Sequence, residues 1–121
     1  MLFYYLVRQL YGDLASSLDY INGVLKQAEK KVFAGEERAM VKLLAEVNRN
    51  LLDFRWAFKH HREVLASLQS VGREFFDDGF HYYLEAVASE YNRIWVMLEG
   101  NREIGIDLRE TNESLLSIKT E

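Results

Sequence analysis

The sequence contains no cysteine and no proline, and only seven glycines among its 121 residues. The absence of cysteine excludes disulfide frameworks, thiolate metal sites and cysteine nucleophiles, and it suits a reducing compartment. An all-β chain normally uses more proline and glycine in its turns, so this composition favours helices joined by short loops. The sequence therefore predicts an all-α fold.

Long apolar runs and an excess of positive charge are also missing. No apolar run approaches the ~20 residues that a membrane-spanning helix needs, and no segment has the pattern of a signal peptide. The net charge of −4 gives no electrostatic reason to expect nucleic acid or an anionic membrane surface as a partner. With 49% apolar and 28% charged residues, we expect a soluble chain that forms one domain over residues 1–121.

Apolar residues recur at alternating steps of three and four, the spacing that keeps one face of a helix toward a partner. This spacing predicts a first helix over about residues 2–33, a break at Ala34-Gly35, and a second helix over about residues 36–71. The face of the first helix is predicted to contain Phe3, Val7, Leu10, Leu14, Ser17, Ile21, Val24 and Ala28. The second helix has the pattern of a coiled-coil seam at Met40, Leu44, Val47, Leu51, Phe54, Phe58, His61, Leu65 and Leu68.

A third helix is predicted over about residues 80–119, after a loop at 72–79, and would be roughly 60 Å long. Its first half has an apolar row at Phe80, Leu84, Val87, Tyr91, Ile94 and Leu98. From Met97 onward the row is better followed through Ile104, Leu108, Leu115 and Ile118, with Asn101 and Thr111 as polar members. This change indicates a slip of the seam by one position near Asn101.

The three helices together predict an antiparallel hairpin of the first two packed on a long, coiled-coil-like stalk helix. The regular first half of the stalk is expected to pack on the hairpin. The sparser second half is expected to gain neighbours only when several chains assemble. Asn101 and Asn112 are predicted to set the register and the oligomeric state.

Two loose clusters contain potential metal ligands: His60, His61 and Glu63, and Asp77, Asp78 and His81. Adjacent helical residues point about 100° apart, which favours a surface His60 beside a seam His61 over a shared site. Carboxylates at a helix start are expected as caps and dipole partners. No Glu stands three residues before a His, and there is no phosphate-binding loop or nucleophile elbow. The sequence predicts no catalytic residue, no cofactor-binding residue and no metal ligand.

Two stretches carry a resemblance to a known family: residues 54–68, with the run Arg62-Glu63-Val64-Leu65, and residues 108–120, with the ending Lys119-Thr120. They resemble segments of CorA-type divalent-cation channels, the family with two membrane spans and a Gly-Met-Asn signature. Residues 54–68 contain the run Arg62-Glu63-Val64-Leu65, which is similar to a run in that family's second hairpin helix. Residues 108–120, ending in Lys119-Thr120, resemble the stalk just before the first membrane span. The order and spacing of the helices also match, including the aromatic opening at residues 2–10, so the resemblance covers essentially the whole chain.

The resemblance implies that the chain is the hairpin and the cytoplasmic part of the stalk, without the α/β domain, the membrane spans and the signature. It implies a role in linking cytoplasmic cation occupancy to the pore, on the cytoplasmic side of the cell membrane. It also implies a homo-oligomer of five copies around one axis. A divalent cation, Mg²⁺ or alternatively Zn²⁺ or Co²⁺, would be the transported or regulatory ion.

Family members that sense Mg²⁺ place carboxylates on the first helix and early in the stalk. The positions that correspond to these in the present chain hold Arg8, Ala86 and Ser89. Acidic residues stand nearby, at Asp13, Glu85 and Glu90, but an offset of one residue turns a ligand away by about 100°. The sequence therefore predicts no sensor site at these positions. The chain is expected to sense cations elsewhere, to sense them weakly, or to belong to a differently regulated branch such as the zinc-exporting relatives.

A second hypothesis is a stand-alone helical scaffold or adaptor domain that oligomerises through its third helix. Both hypotheses predict a non-monomeric chain, so the oligomeric state does not discriminate between them. The sequence beyond Glu121 does: a run of ~20 apolar residues with Gly-Met-Asn supports the channel.

Overall fold

The computed structural model describes residues 2–75 and 78–120, and the side chains of all of these except residues 3, 73–75, 78 and 120. It consists of three α-helices, α1 (Leu2–Phe33), α2 (Glu37–Phe75) and α3 (Asp78–Thr120). No strand occurs within those two stretches. The all-α fold is confirmed, and α3 is about 64 Å long at 1.5 Å per residue.

The three helices run up, down and up. Asn22 of α1 contacts Asn101, and Tyr4 contacts Tyr83 earlier in α3, so α1 and α3 are parallel. The contacts of α2 with α3 run in the opposite order, so these two helices are antiparallel. Both α1 and α2 pack mainly on α3 and less on each other. The predicted hairpin on a long third helix is confirmed, with α3 as the element that holds the bundle together.

The turn between α1 and α2 lies where the Ala34-Gly35 pair predicts it. Gly35 has a φ of 92°, in the left-handed region that glycine adopts at little cost. The Glu36 amide donates to the carbonyl of Lys31 at 3.0 Å, and the Ala34 amide donates to the same carbonyl. Both bonds satisfy the Lys31 carbonyl, which the end of α1 would otherwise leave unpaired.

The loop predicted at residues 72–79 is wrong for most of that range. The helix α2 continues to Phe75, and α3 begins at Asp78. A single glycine costs a helix only about 1 kcal/mol relative to alanine, so Gly72 and Gly79 do not outweigh the packing along the bundle. Gly72 is itself buried.

The predicted seam of α2 is confirmed, because each of its nine positions is buried or half-buried. Two of the eight positions predicted for the face of α1 are wrong, five are buried or half-buried, and the side chain of Phe3 lies outside the described ones. Leu10 is 46% exposed and Ser17 is exposed, whereas their neighbours Tyr11 and Leu18 are almost completely buried. Nine buried or half-buried positions of α1 also follow unbroken three-four spacing: Tyr4, Val7, Tyr11, Leu14, Leu18, Ile21, Leu25, Ala28 and Val32. Ala15, Asn22 and Val24 are buried or half-buried beside this row.

The seam of α3 does not slip, which corrects the change of phase predicted near Asn101. Ile104 and Ile118 are 38% and 69% exposed and lie outside the seam. The buried face continues at unbroken three-four steps through Leu84, Val87, Tyr91, Ile94, Leu98, Asn101, Gly105, Leu108 and Asn112. Two polar residues and a glycine occupy the seam, so a search for apolar residues alone follows the wrong row.

The second half of α3 has neighbours within a single chain, contrary to the prediction. Leu108 belongs to an apolar cluster with residues of α1 and α2: Leu25, Ala28, Val32, Met40 and Leu44. A larger cluster fills the other part of the bundle and includes Tyr11, Leu51, Phe58, Tyr91, Ile94 and Leu98. Between the two clusters lies a polar layer around Asn101, which is the candidate site.

Candidate functional site

Asn101 joins α3 to α1 at the centre of the bundle. It is 4% exposed, and its Nδ2 donates to the carbonyl of Leu18 at 2.9 Å. Its Oδ1 accepts a hydrogen bond from Nδ2 of Asn22 at 3.1 Å. A buried amide is costly unless it is hydrogen-bonded, so these bonds favour one register of α3 against α1.

Asn48 joins α2 to α3 close to the same level. Its Nδ2 donates to the carbonyls of Gly105, at 3.0 Å, and of Leu44 in its own helix, at 2.9 Å. A Cβ added at Gly105 would lie 2.6 Å from Oδ1 of Asn48. The approach of the two helices at this point therefore depends on the missing side chain of Gly105.

A third group of polar contacts ties the last turns of α3 to the α1–α2 turn. Asn112 is 1% exposed, and its Nδ2 donates to the carbonyl of Glu37 at 3.0 Å. Lys119 Nζ donates to the Glu37 carboxylate at 2.6 Å and to the carbonyl of Gly35 at 3.3 Å. The hydrogen bond from Lys119, and then the backbone amide of Glu37, lower the pKa of the Glu37 carboxyl below its usual 4.5.

The lowered pKa of Glu37 predicts a loss of stability in acid. A carboxyl whose pKa is lower in the folded state stabilises the fold above its unfolded pKa, and this contribution is lost as the pH falls through the folded pKa. We expect the melting temperature of the wild type to fall more than that of Glu37→Gln when the pH drops from neutral to about 3.

Circular dichroism melts of both proteins measure this difference. Glu103→Gln, which removes an exposed carboxylate from the same bundle, is the matched control and should keep the pH dependence of the wild type. An equal fall for Glu37→Gln and the wild type would contradict the assignment of the ion pair.

In the other half of the bundle, two tyrosine hydroxyls make polar contacts among stacked aromatic rings. The Tyr11 hydroxyl is hydrogen-bonded to Nδ1 of His61 at 2.7 Å, and the Tyr91 hydroxyl donates to the carbonyl of Phe58 at 2.7 Å. The Phe58 and Tyr91 rings stack with centroids 4.1 Å apart. Burial raises the pKa of Tyr91, and burial together with Tyr91 raises that of Tyr11. Both phenols therefore remain neutral and serve packing rather than proton transfer.

In the first loose cluster of potential ligands, His61 is turned away from His60 and Glu63. His61 points inward to Tyr11, whereas the His60 side chain is 67% exposed and its Nδ1 lies 3.9 Å from Glu63. In the second cluster, His81 Nε2 lies 3.1 Å from the Glu85 carboxylate. Asp77 and the side chain of Asp78 are outside the described residues. The first cluster is therefore not brought together as a set of converging ligands.

The three positions that the sequence resemblance aligns with sensor carboxylates lie around one cavity. Arg8, Ala86 and Ser89 line one cavity of about 240 Å³ between α1 and α3, beside Glu90. The Glu90 carboxylate lies 3.4 Å from Nη2 of Arg93. Mg²⁺ and Ca²⁺ prefer several oxygen ligands, and Glu90 is the one carboxylate among the described residues that line this cavity.

Asp13 and Glu85, the neighbouring acids, are exposed. Among residues 2–75 and 78–120, no three His, Asp or Glu side chains are close enough to hold a metal ion.

Sequence reasoning identified Asn101 and Asn112 and missed their counterparts. Asn48 and Gly105 carry no apolar signal, and Glu37 and Lys119 form a pair across 82 positions of the chain. One signal was available for Gly105, because the three-four steps of the first half of α3 lead to it when continued without a slip.

None of the described helices combines the length and the apolar character needed to cross a membrane. A family model described as CorA-like Mg2+ transporter protein matches residues 1–121. No curated protein and no solved structure matches the chain.

Proposed function

Because the chain belongs to the CorA-like Mg²⁺ transporter family, we propose that its three helices form a rigid body that couples a cytoplasmic domain to the pore. The family is one of ion transporters, which agrees with the absence of catalytic motifs in the sequence. In this proposal α3 is the stalk, and α1 and α2 support it along its length.

The polar contacts along α3 are the observation that supports this role. Asn101 fixes α3 against α1, while Asn48 and the Glu37–Lys119 pair fix it against α2. A slide of α3 by one residue, about 1.5 Å, would lengthen and misalign the hydrogen bonds that the short side chains of Asn101 and Asn48 make between helices. Because sliding is costly, a displacement applied at one end of α3 is delivered at the other end.

The transported or regulatory ion is proposed to be Mg²⁺, with Zn²⁺ and Co²⁺ as the other candidates. We further propose a homo-oligomer, a pentamer as the family resemblance implies, on the cytoplasmic side of the cell membrane. The outer face of α3 offers a contact surface for such an assembly, since Val96 is 70% exposed and Ile106 is 43% exposed. Regulation would not use the Arg8 cavity as a cation site.

Transport by the full protein that carries this chain tests the proposal. Produced in cells whose own Mg²⁺ uptake has been removed, it should restore Mg²⁺ flux above the level of an empty vector. Parallel assays with Zn²⁺ and Co²⁺ identify the ion and the direction of flux. Absence of flux for all three ions would contradict the proposal and favour the scaffold hypothesis.

A disulfide between α2 and α3 tests rigidity separately. Asn48→Cys with Gly105→Cys removes the interfering amide, and a Cβ at position 105 would lie only 3.4 Å from Cγ of Asn48, so the two sulfurs are within bonding reach. We expect equal flux under oxidising and reducing conditions, with each single variant as a control. Flux that stops on oxidation and returns on reduction would mean that α3 slides along α2.

A further inference from the structure

Large apolar side chains are exposed at the end of the bundle where the α1–α2 turn lies. Phe33, the last residue of α1, is 67% exposed, and Val41 in the second turn of α2 is 47% exposed. Ile118 of α3 is 69% exposed and belongs to the same end, because its neighbour Lys119 bonds to the carbonyl of Gly35. We call this end of the bundle the tip.

Basic residues flank the α1–α2 turn in the sequence. Between positions 30 and 42 the chain has two acidic residues, Glu36 and Glu37, and the second is already paired with Lys119. The same stretch has four basic residues, all exposed: Lys30, Lys31, Arg38 and Lys42. Lys42 Nζ lies 3.9 Å from the Glu46 carboxylate, which leaves Lys30, Lys31 and Arg38 as the main basic groups of the tip. The chain as a whole has a net charge of −4, so the positive charge of the tip is a local feature that the total conceals.

We propose that the tip binds the surface of a membrane that contains anionic phospholipids. In this arrangement Phe33 enters the boundary between headgroups and acyl chains, where amphipathic surfaces and aromatic rings are favourable. The lysines and Arg38 contact the anionic headgroups, and each basic residue near such a surface strengthens binding by about fivefold.

Charge favours lipid over a second copy of the chain at this surface. Two tips placed against each other would bring like charges together, whereas an anionic lipid surface complements them. Phe33 lies beside a turn whose backbone is held by hydrogen bonds to Lys119 and to the Lys31 carbonyl, so this turn can present the ring to a surface without first becoming ordered. The proposal does not rest on cation transport, since it concerns the chain itself and lipid vesicles.

Vesicle flotation with the full chain tests the proposal. The chain should float with vesicles of phosphatidylcholine mixed with phosphatidylserine and remain behind with vesicles of phosphatidylcholine alone. Lys30→Gln with Lys31→Gln should weaken binding to the mixed vesicles by about 25-fold. Phe33→Ala should weaken it by roughly tenfold, because the apolar area of the ring no longer leaves water.

Matched changes elsewhere on the surface serve as controls. Lys59→Gln with Arg62→Gln removes the same charge from exposed positions of α2 away from the tip, and Tyr82→Ala removes a ring that is 69% exposed near the start of α3. Both should bind as the wild type does, and the circular dichroism spectra of all variants should match.

Several results would overturn the proposal. One is equal flotation with both kinds of vesicle, and another is no flotation with either. A third is a loss of binding in the control variants equal to that in the tip variants. Sedimentation in which Phe33→Ala converts an oligomer to a monomer, with vesicle binding unchanged, would assign the tip to contacts between copies.

Discussion

Gly105→Ala is expected to lower the free energy of unfolding by about 1–3 kcal/mol, the range found for overpacked interfaces. The new methyl group would lie 2.6 Å from Oδ1 of Asn48, closer than real side chains approach. Asn48 cannot rotate away without losing its hydrogen bonds to Gly105 and Leu44, and otherwise α2 and α3 must separate locally. Chemical denaturation followed by circular dichroism measures the change.

Gly100→Ala is the matched control, one helical turn and a half earlier in α3. Gly100 is exposed and an added Cβ meets nothing within 4 Å, so this variant should gain about 0.5–1 kcal/mol from the higher helix propensity of alanine. Adding Asn48→Ala to Gly105→Ala should recover part of the loss, because the overlapping amide is then absent. Equal effects of the two alanines would show that the helices do not meet closely at Gly105.

Leu108→Ala is expected to destabilise the bundle by about 2–5 kcal/mol, as for other buried leucines. Leu108 is 5% exposed and packs in the cluster formed with α1 and α2. Truncation removes apolar contacts with both α1 and α2 and leaves a cavity that three long packed helices cannot easily close. The midpoint of urea unfolding, with an unchanged slope, measures the loss.

Ile104→Ala distinguishes a continuous buried row along α3 from one that slips near Asn101. Ile104 is 38% exposed and lies outside the seam, so its truncation should cost less than about 1 kcal/mol. If the seam slipped near Asn101, both residues would be buried and the two losses would be similar. A loss for Ile104→Ala as large as that for Leu108→Ala would therefore contradict the register described above.

The sequence predicted the fold class and the seam of α2 because packing and apolarity agree there. All nine seam positions of α2 are apolar or, in the case of His61, aromatic. In α1, Leu10 and Tyr11 both fit three-four spacing, and only contacts with α2 and α3 decide between them. In α3 the buried row includes Asn101, Gly105 and Asn112, whose stabilising contacts are hydrogen bonds and close backbone approach. Apolar periodicity does not detect either kind of contact.

The candidate site was less predictable than the fold, since it depends on pairs that are distant in sequence. Nothing local to Lys119 indicates that it reaches Glu37, and nothing local to Asn48 indicates that it meets a glycine. Three positions selected by the sequence resemblance, which are also distant in sequence, do lie together in the structure. The resemblance selected Arg8, Ala86 and Ser89, and the structure places all three around one cavity.

The opposite directions of α2 and α3 determine how the bundle responds to force. The two helices are connected near Phe75, and the last turn of α3 lies beside Gly35 at the far end. A pull on α3 along its axis therefore loads the contacts of Lys119, Asn112 and Asn48 in shear, all at the same time. A sideways pull at the last turn of α3 loads the contact of Lys119 first and then the other contacts one after another. We therefore expect the bundle to resist a pull along its axis more strongly than a sideways pull.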